Sequence, residues 1–197
     1  YDLSKLTEAE KNILEAFSIF PYIPLAAEIC NQWLLADAGA SEGDDILIGL
    51  YRKGWLQFDM EQEGYSLHSV FSKFIYEKCK PVADTHHGLI EACQKCLEIP
   101  ESGSVMECQR FIPFAENIIK KMDMRINGKQ VGFINSFACL LCYIGKYKEA
   151  EELYKKILKE KILRTGHQDT FVIYNNLAGV YKRGEVTKKK ETWRIVR

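Results

Sequence analysis

Ile134-Asn135-Ser136-Phe137-Ala138-Cys139-Leu140-Leu141-Cys142-Tyr143-Ile144-Gly145-Lys146-Tyr147-Lys148-Glu149-Ala150-Glu151-Glu152-Leu153-Tyr154-Lys155-Lys156-Ile157 is the stretch on which the fold turns. Ile134, Phe137, Ala138 and Leu141 recur at helical spacing, Gly145 interrupts, and Tyr147, Ala150, Tyr154 and Ile157 resume the period. This predicts a pair of helices, with the small Ala138 and Ala150 where they cross closely and larger side chains filling the holes around them. The pattern starts again 40 residues later, at Tyr174, Leu177, Ala178 and Tyr181, so the unit is a repeat. The second copy is then lost. Gly184 stands one residue early, and Val186-Thr187-Lys188-Lys189-Lys190-Glu191 has no glycine-aromatic-x-x-Ala continuation. That end reads either as a polar cap or as a cut or altered repeat.

Working toward the N-terminus, residues 84–123 form an earlier pair without the glycine-tyrosine-alanine signature. Leu89, Ile90, Cys93, Cys96 and Leu97 lie on one segment, and Val105, Phe111, Ile112, Phe114, Ile118 and Ile119 on the next. The expected second domain is therefore 81–197: a degenerate pair at 84–123, a clear repeat at 131–164, and a partial repeat or cap at 169–197.

Residues 1–80 read differently. Thr7-Glu8-Ala9-Glu10 is a capping box before a helix that points Ile13, Leu14 and Phe17 inward, and Pro21 ends it. Pro24 fits the first turn of a second helix carrying Leu25, Ile29, Trp33 and Leu34, closed by Gly39. Ser41 can cap a third helix through Ile46, Leu47, Leu50 and Tyr51, stopped by Gly54. Then the period changes from 3.6 to 2. Residues 55–60 and 65–68 read as strands around the turn Glu61-Gln62-Glu63-Gly64, and Ser69 begins a helix with Val70, Phe71, Phe74 and Ile75 inward. Three helices, a two-stranded wing and a further helix follow the order of a winged-helix domain. The fold class expected is mainly α: a winged helix over 1–80, then an α–α superhelix of tetratricopeptide-like repeats.

The composition narrows the function. The 197 residues carry 27 basic and 27 acidic side chains, 47% are apolar, and no apolar run nears the length a bilayer needs. The zero net charge hides an asymmetry: residues 1–80 carry 13 acidic and 7 basic side chains, and residues 81–197 carry 14 and 20. On the surface where a winged helix would read DNA, Glu42, Asp44, Asp45, Asp59, Glu61 and Glu63 face only Arg52 and Lys53. That sign repels phosphate, so nucleic acid is disfavoured as a partner. The alternative kept open is a DNA-binding transcriptional regulator with a repeat sensor, in which Lys188–Lys190 add phosphate contacts. Seven scattered cysteines and no secretory leader fit reduced, buried thiols in a cytoplasm. The start at Tyr1, without methionine, is expected of a piece of something longer.

The order of motifs resembles the winged-helix and repeat region of a STAND-type signalling ATPase of the NB-ARC kind. Phe17-Ser18-Ile19-Phe20-Pro21 is similar to that family's "sLFP" helix end. Tyr65-Ser66-Leu67-His68-Ser69 looks like its "MHD" motif, with Leu67 for methionine and Ser69 for aspartate. Phe111-Ile112-Pro113-Phe114-Ala115 looks like the "lPha" that precedes the repeats. Residues 163–181 resemble a kinesin-light-chain-like tetratricopeptide repeat. The resemblance implies a non-catalytic fragment for protein recognition and signal relay, with an ATPase domain in the same longer chain as a partner. It implies that His68 reaches the β-phosphate of bound ADP. This chain has no phosphate-binding loop of its own, so ADP or ATP is a cofactor only if that domain is present, and none is expected otherwise. The other reading of His68 is a hydrogen bond within the wing.

The natural ligand surface of such an array is its concave groove, to which repeat position assigns Asn135, Cys139, Cys142 and Tyr143, then Asn175, Gly179 and Lys182. Asn135 and Asn175 are equivalent, and their amides can clamp a peptide backbone by giving and accepting hydrogen bonds. Ordinary solvated or inter-helix positions are the competing reading. The two C-x-x-C pairs, Cys93/Cys96 and Cys139/Cys142, lie inside amphipathic helices, where buried thiols are expected rather than zinc. His86 and His87 point to different faces and read as solvated or capping. No nucleophile elbow or zinc-protease motif occurs, so no catalytic or metal residue is assigned. An unfinished repeat also leaves an end through which the chain could self-associate.

Overall fold

The computed structural model describes residues 2–38, 43–99, 104–122, 128–159 and 168–195, with side chains described over 2–34, 45–99, 104–122, 130–159 and 170–184. The described residues are mainly helical, with one small sheet among them. It divides into two compact units, Tyr1–Lys95 with Pro113–Met124, and Cys96–Ile112 with Arg125–Arg197. The boundary expected at 80/81 falls inside the first of these.

In the first unit, α1 (Glu8–Ile19) starts on the capping box read from the sequence. The Glu10 amide donates to Thr7 Oγ1 at 3.2 Å, and the Thr7 amide donates to the Glu10 carboxylate at 3.0 Å. Ile13, Leu14 and Phe17 are buried as expected. The second helix begins later than Pro24 suggests. Leu25–Ala26 forms a short strand, β1, and α2 runs Ala27–Ala38. Next come α3 (Gly43–Arg52), β2 (Leu56–Asp59), β3 (Gly64–Leu67) and α4 (Ser69–Cys79). The strand order is β1-β3-β2, antiparallel throughout, with Leu25 opposite Tyr65 and Phe58 also opposite Tyr65 from the other side. Gly64 makes β1 possible, because a Cβ there would sit 2.8 Å from the Leu25 carbonyl oxygen. The closing Gly39 and capping Ser41 lie outside the described residues.

The face of α4 also differs from expectation. Ile75 and Ser72 are buried, whereas Val70 and Phe74 are exposed. The Ser72 hydroxyl donates to the Ser18 carbonyl at 3.1 Å, so a small polar residue lies at the approach to α1, while Val70 and Phe74 face outward. On α3, Leu47 and Leu50 are buried, but Tyr51 is about half exposed.

Segments distant in sequence complete this core. Here α5 (His87–Leu97) contributes the buried Leu89, Ile90 and Cys93, and α7 (Ile112–Lys121) returns with Phe114 and Ile118. Phe114 stands edge-on to Phe20 and Trp33, with ring centroids 5.4 and 5.6 Å away, and Phe20 and Trp33 are 5.7 Å apart in the same manner. Lys121 donates to the Ser18 carbonyl at 2.8 Å, near the carbonyl-rich end of α1, with Tyr22 and Tyr76 as aromatic neighbours. The Tyr76 hydroxyl in turn donates to the Lys121 carbonyl.

The second unit contains α6 (Val105–Gln109), α8 (Gly128–Tyr143), α9 (Tyr147–Lys159) and α10 (Gln168–Ile195). Here α8 and α9 form the expected pair: Ile134, Phe137, Ala138, Leu141, Ala150, Tyr154 and Ile157 are all buried. Gly145 takes φ +85°, the left-handed conformation that turns the chain between the two helices. Forty residues on, position 185 is glutamate, and α10 continues through it as one helix. Shifting the glycine by one residue removes the left-handed turn, and the second pair does not close.

Candidate functional site

Cys139, Cys142 and Tyr143 on α8 and Asn175, Gly179 and Arg183 on α10 line a cleft of about 370 Å³ in the second unit, with Tyr154 of α9 beneath them. Helical spacing builds it. Cys139 and Cys142 are three apart on one face of α8, and Asn175, Gly179 and Arg183 are four apart on one face of α10. Gly179 leaves an opening in the wall, since a Cβ there would meet nothing within 4 Å.

A hydrogen-bonded chain runs through the lining of the cleft and behind it. The Asn176 amide donates to the Asn135 side-chain oxygen at 2.9 Å and comes within 3.8 Å of the Cys139 sulfur. The Cys139 sulfur lies 3.3 Å from the Tyr154 hydroxyl. Burial pushes the Cys142 thiol up to about 11, with Cys139 adding to the shift and Arg183 opposing it. Burial and the hydrogen bond to Cys139 likewise raise Tyr154. Both groups are neutral at physiological pH. A thiol raised in this way is a poor nucleophile but keeps its hydrogen-bonding capacity.

Of the positions assigned from repeat spacing, the structure brings Cys139, Cys142, Tyr143, Asn175 and Gly179 together. Asn135 does not line the cleft; its side-chain oxygen accepts from Asn176, which bridges α10 to α8. Lys182 is exposed and also lies off the lining. Asn175 is exposed at the rim, so the symmetry expected of Asn135 and Asn175 is broken by one residue. Sequence reading missed Asn176, Arg183 and the Tyr154 hydroxyl. The adjacent Asn175-Asn176 pair was one available signal, and the four-residue step from Gly179 to Arg183 another.

In the first unit, His68 is exposed and caps α4, its Nδ1 accepting from the Val70 amide at 3.3 Å. His86 departs from the solvated reading: it is buried, with Nε2 3.1 Å from a Glu15 carboxylate oxygen. His87 pairs with Glu91 at 3.0 Å on the surface of α5. All seven cysteines are free thiols; Cys30, Cys93 and Cys108 are buried as expected, Cys96, Cys139 and Cys142 of the C-x-x-C pairs are only half-buried, and Cys79 is exposed, contrary to the expectation of burial. Among the described residues, no group of three or more His, Cys, Asp and Glu side chains is placed to hold a metal ion. No helix among them is long and apolar enough to cross a membrane. Comparison with protein-family profiles, curated proteins and solved structures finds no match.

Proposed function

We propose that this chain is a non-catalytic protein-interaction and signal-relay module: a winged-helix domain joined to tetratricopeptide-like repeats that bind a peptide in the cleft between α8 and α10. The observation that carries the reading is the neutral polar chain Asn135–Asn176–Cys139–Tyr154, whose last three members line an open cleft together with Tyr143 and Arg183. Such a surface suits an extended backbone: amides and thiols meet its N–H and C=O groups, the tyrosine ring supplies apolar contact, and the guanidinium favours a carboxylate. The order of three helices, a hairpin and a further helix in the first unit and the buried stripe of α8 and α9 support the two domain assignments. His68 supports the nucleotide-switch part of the reading. Its Nδ1 is occupied as an acceptor, so the ring proton sits on Nε2 at an exposed helix N-terminus, where a phosphate from an ATPase domain of the same longer chain would be met. The reading places the protein in a cytoplasm.

Gly179→Gln provides the test. The position is helical and has room, so glutamine fills the cleft without strain and improves helix propensity. Screened against an array of random dodecapeptides, the wild-type chain is expected to select a subset binding at about micromolar Kd, and Gly179→Gln to lose about tenfold or more on those peptides. An array with no reproducible binder, or binders indifferent to Gly179→Gln, would overturn the peptide-cleft reading.

A further inference from the structure

The first unit holds a cavity of its own, of about 290 Å³, between α1, α2 and the start of α5. Its lining is graded from mouth to floor. Asn12 and Thr85 are exposed and stand at the mouth, whereas Ala16, Trp33, Leu34 and Leu89 are buried and form an apolar floor. Asn12, Glu15 and Ala16 are three and four residues apart, so one face of α1 carries all three to the cavity. Glu15 is half-buried, and His86, at 7% exposed, is the buried polar residue of the wall. The two meet there, with His86 Nε2 3.1 Å from Glu15 Oε1. The other carboxylate oxygen of Glu15 has no hydrogen-bond partner among the described residues, and no lysine or arginine among them lines the cavity.

We propose that this cavity binds a small organic cation, a primary ammonium on a short arm attached to a flat apolar group. Each part of the ligand answers a part of the wall. A neutral imidazole that donates to Oε1 fixes the direction of the Glu15 carboxylate without cancelling its charge, and the second oxygen is left to accept from an ammonium. The Asn12 side-chain oxygen at the mouth offers that ammonium a further acceptor. The apolar group enters first and lies against Trp33, Leu34 and Leu89, where it gains by leaving water. Size agrees with this class. A cavity of about 150 Å³ holds benzene, so 290 Å³ takes a ring with a two-carbon arm and its ammonium. Charge selects the sign, because an anionic ligand would face the carboxylate with no fixed cation in the lining to offset it. The inference uses only residues of the first unit and does not rest on peptide binding in the cleft of the second.

Phenethylamine is the probe, with phenethyl alcohol as its neutral match and phenylacetate as the anionic one. Each is titrated into the full chain at about pH 8, where an ordinary imidazole is neutral. Heteronuclear NMR reports both the affinity and the place of binding. Saturable shifts at the Trp33 indole and at the His86 and Leu89 amides are expected, with a Kd of about 1 mM for the amine. The alcohol and the carboxylate should bind about tenfold more weakly or worse. Glu15→Gln keeps an oxygen for His86 to donate to but removes the charge, so it should bring the amine down to the level of the alcohol and leave the alcohol unchanged. Asn12→Arg, at an exposed helical position, sets a cation at the mouth and leaves the Glu15–His86 pair intact; it should weaken the amine about threefold or more. This second variant keeps the proposal falsifiable should Glu15→Gln fail to fold. An amine that does not saturate by about 20 mM, or that binds no tighter than the alcohol, would overturn the proposal and leave the pair as a tie between α5 and α1. Shifts confined to residues away from the lining, or amine binding indifferent to Asn12→Arg, would overturn it as well.

Discussion

The two units are held together in different ways. The second is local: α8 meets α9 across a glycine turn, and two alanines let their backbones approach. The first is assembled from afar: Phe114 reaches Phe20 and Trp33, Lys121 reaches Ser18, His86 reaches Glu15, and Lys53 reaches Glu10. Contacts between near neighbours repeat with the helical period and leave a trace in the sequence. Contacts between distant residues obey no period. The contrast teaches that the charge break near Pro81, although real, marks a change of composition and not the limit of a folded unit.

The largest effect should come from breaking the long-range core. Phe114→Ala removes the ring that contacts both Phe20 and Trp33 and is expected to cost about 3–5 kcal/mol. Native-state hydrogen exchange should show the loss first in α7 and α1, with α8 and α9 keeping their protection. If α8 and α9 lost as much protection as α1, the two units would be energetically one. The converse substitution acts on the local pair. Ala138→Leu forces a larger side chain into the α8–α9 crossing and should cost about 1–3 kcal/mol by overpacking. Exchange should then rise in α8 and α9 and stay unchanged in α1. Wild-type stability of Ala138→Leu would show that the crossing is looser than the complete burial of Ala138 indicates.

This division also explains what could be read in advance. The Thr7–Glu10 capping box, the hairpin after Trp55 and the stripe from Ile134 to Ile157 are local patterns, and each appears where the residues placed it. Strand β1 was hidden because its signal lies in Gly64, some forty residues away, whose missing Cβ admits the Leu25 carbonyl. The inward face of α4 was misread because Val70 and Phe74 outweigh Ser72 in hydrophobicity, while the approach to α1 is occupied by the smaller side chain. At the cleft, repeat position found the right faces and missed the right amide. One residue along a helix is a rotation of about 100°, enough to carry Asn175 to the rim and Asn176 onto Asn135. His86 could not be found at all, since its partner is Glu15, 71 residues away.

The smallest effect tests a residue that belongs to both kinds of contact. Glu10 closes the local capping box through the Thr7 amide and accepts a distant ion pair from Lys53 at 2.5 Å. Burial alone would raise its carboxyl, but the Lys53 ammonium and the Thr7 amide outweigh burial and hold it below the usual range. The sign of the pH dependence follows. A carboxyl depressed in the folded state binds its proton less readily than in the unfolded chain, so its stabilisation is complete above the unfolded value of about 4.3 and is lost as pH falls through the lower folded value. Glu10→Gln keeps the shape but removes the charge, and is expected to cost about 1 kcal/mol at pH 7. Urea melts of the two proteins, compared from pH 7 down to about pH 3, should then converge below about pH 4.3, because wild type loses what the variant never had. A difference that stayed constant through that range would mean that Glu10 acts through packing alone. A difference that vanished in 1 M salt at pH 7 while the α1 amides kept their protection would assign it to Lys53 and leave the capping box with little to do.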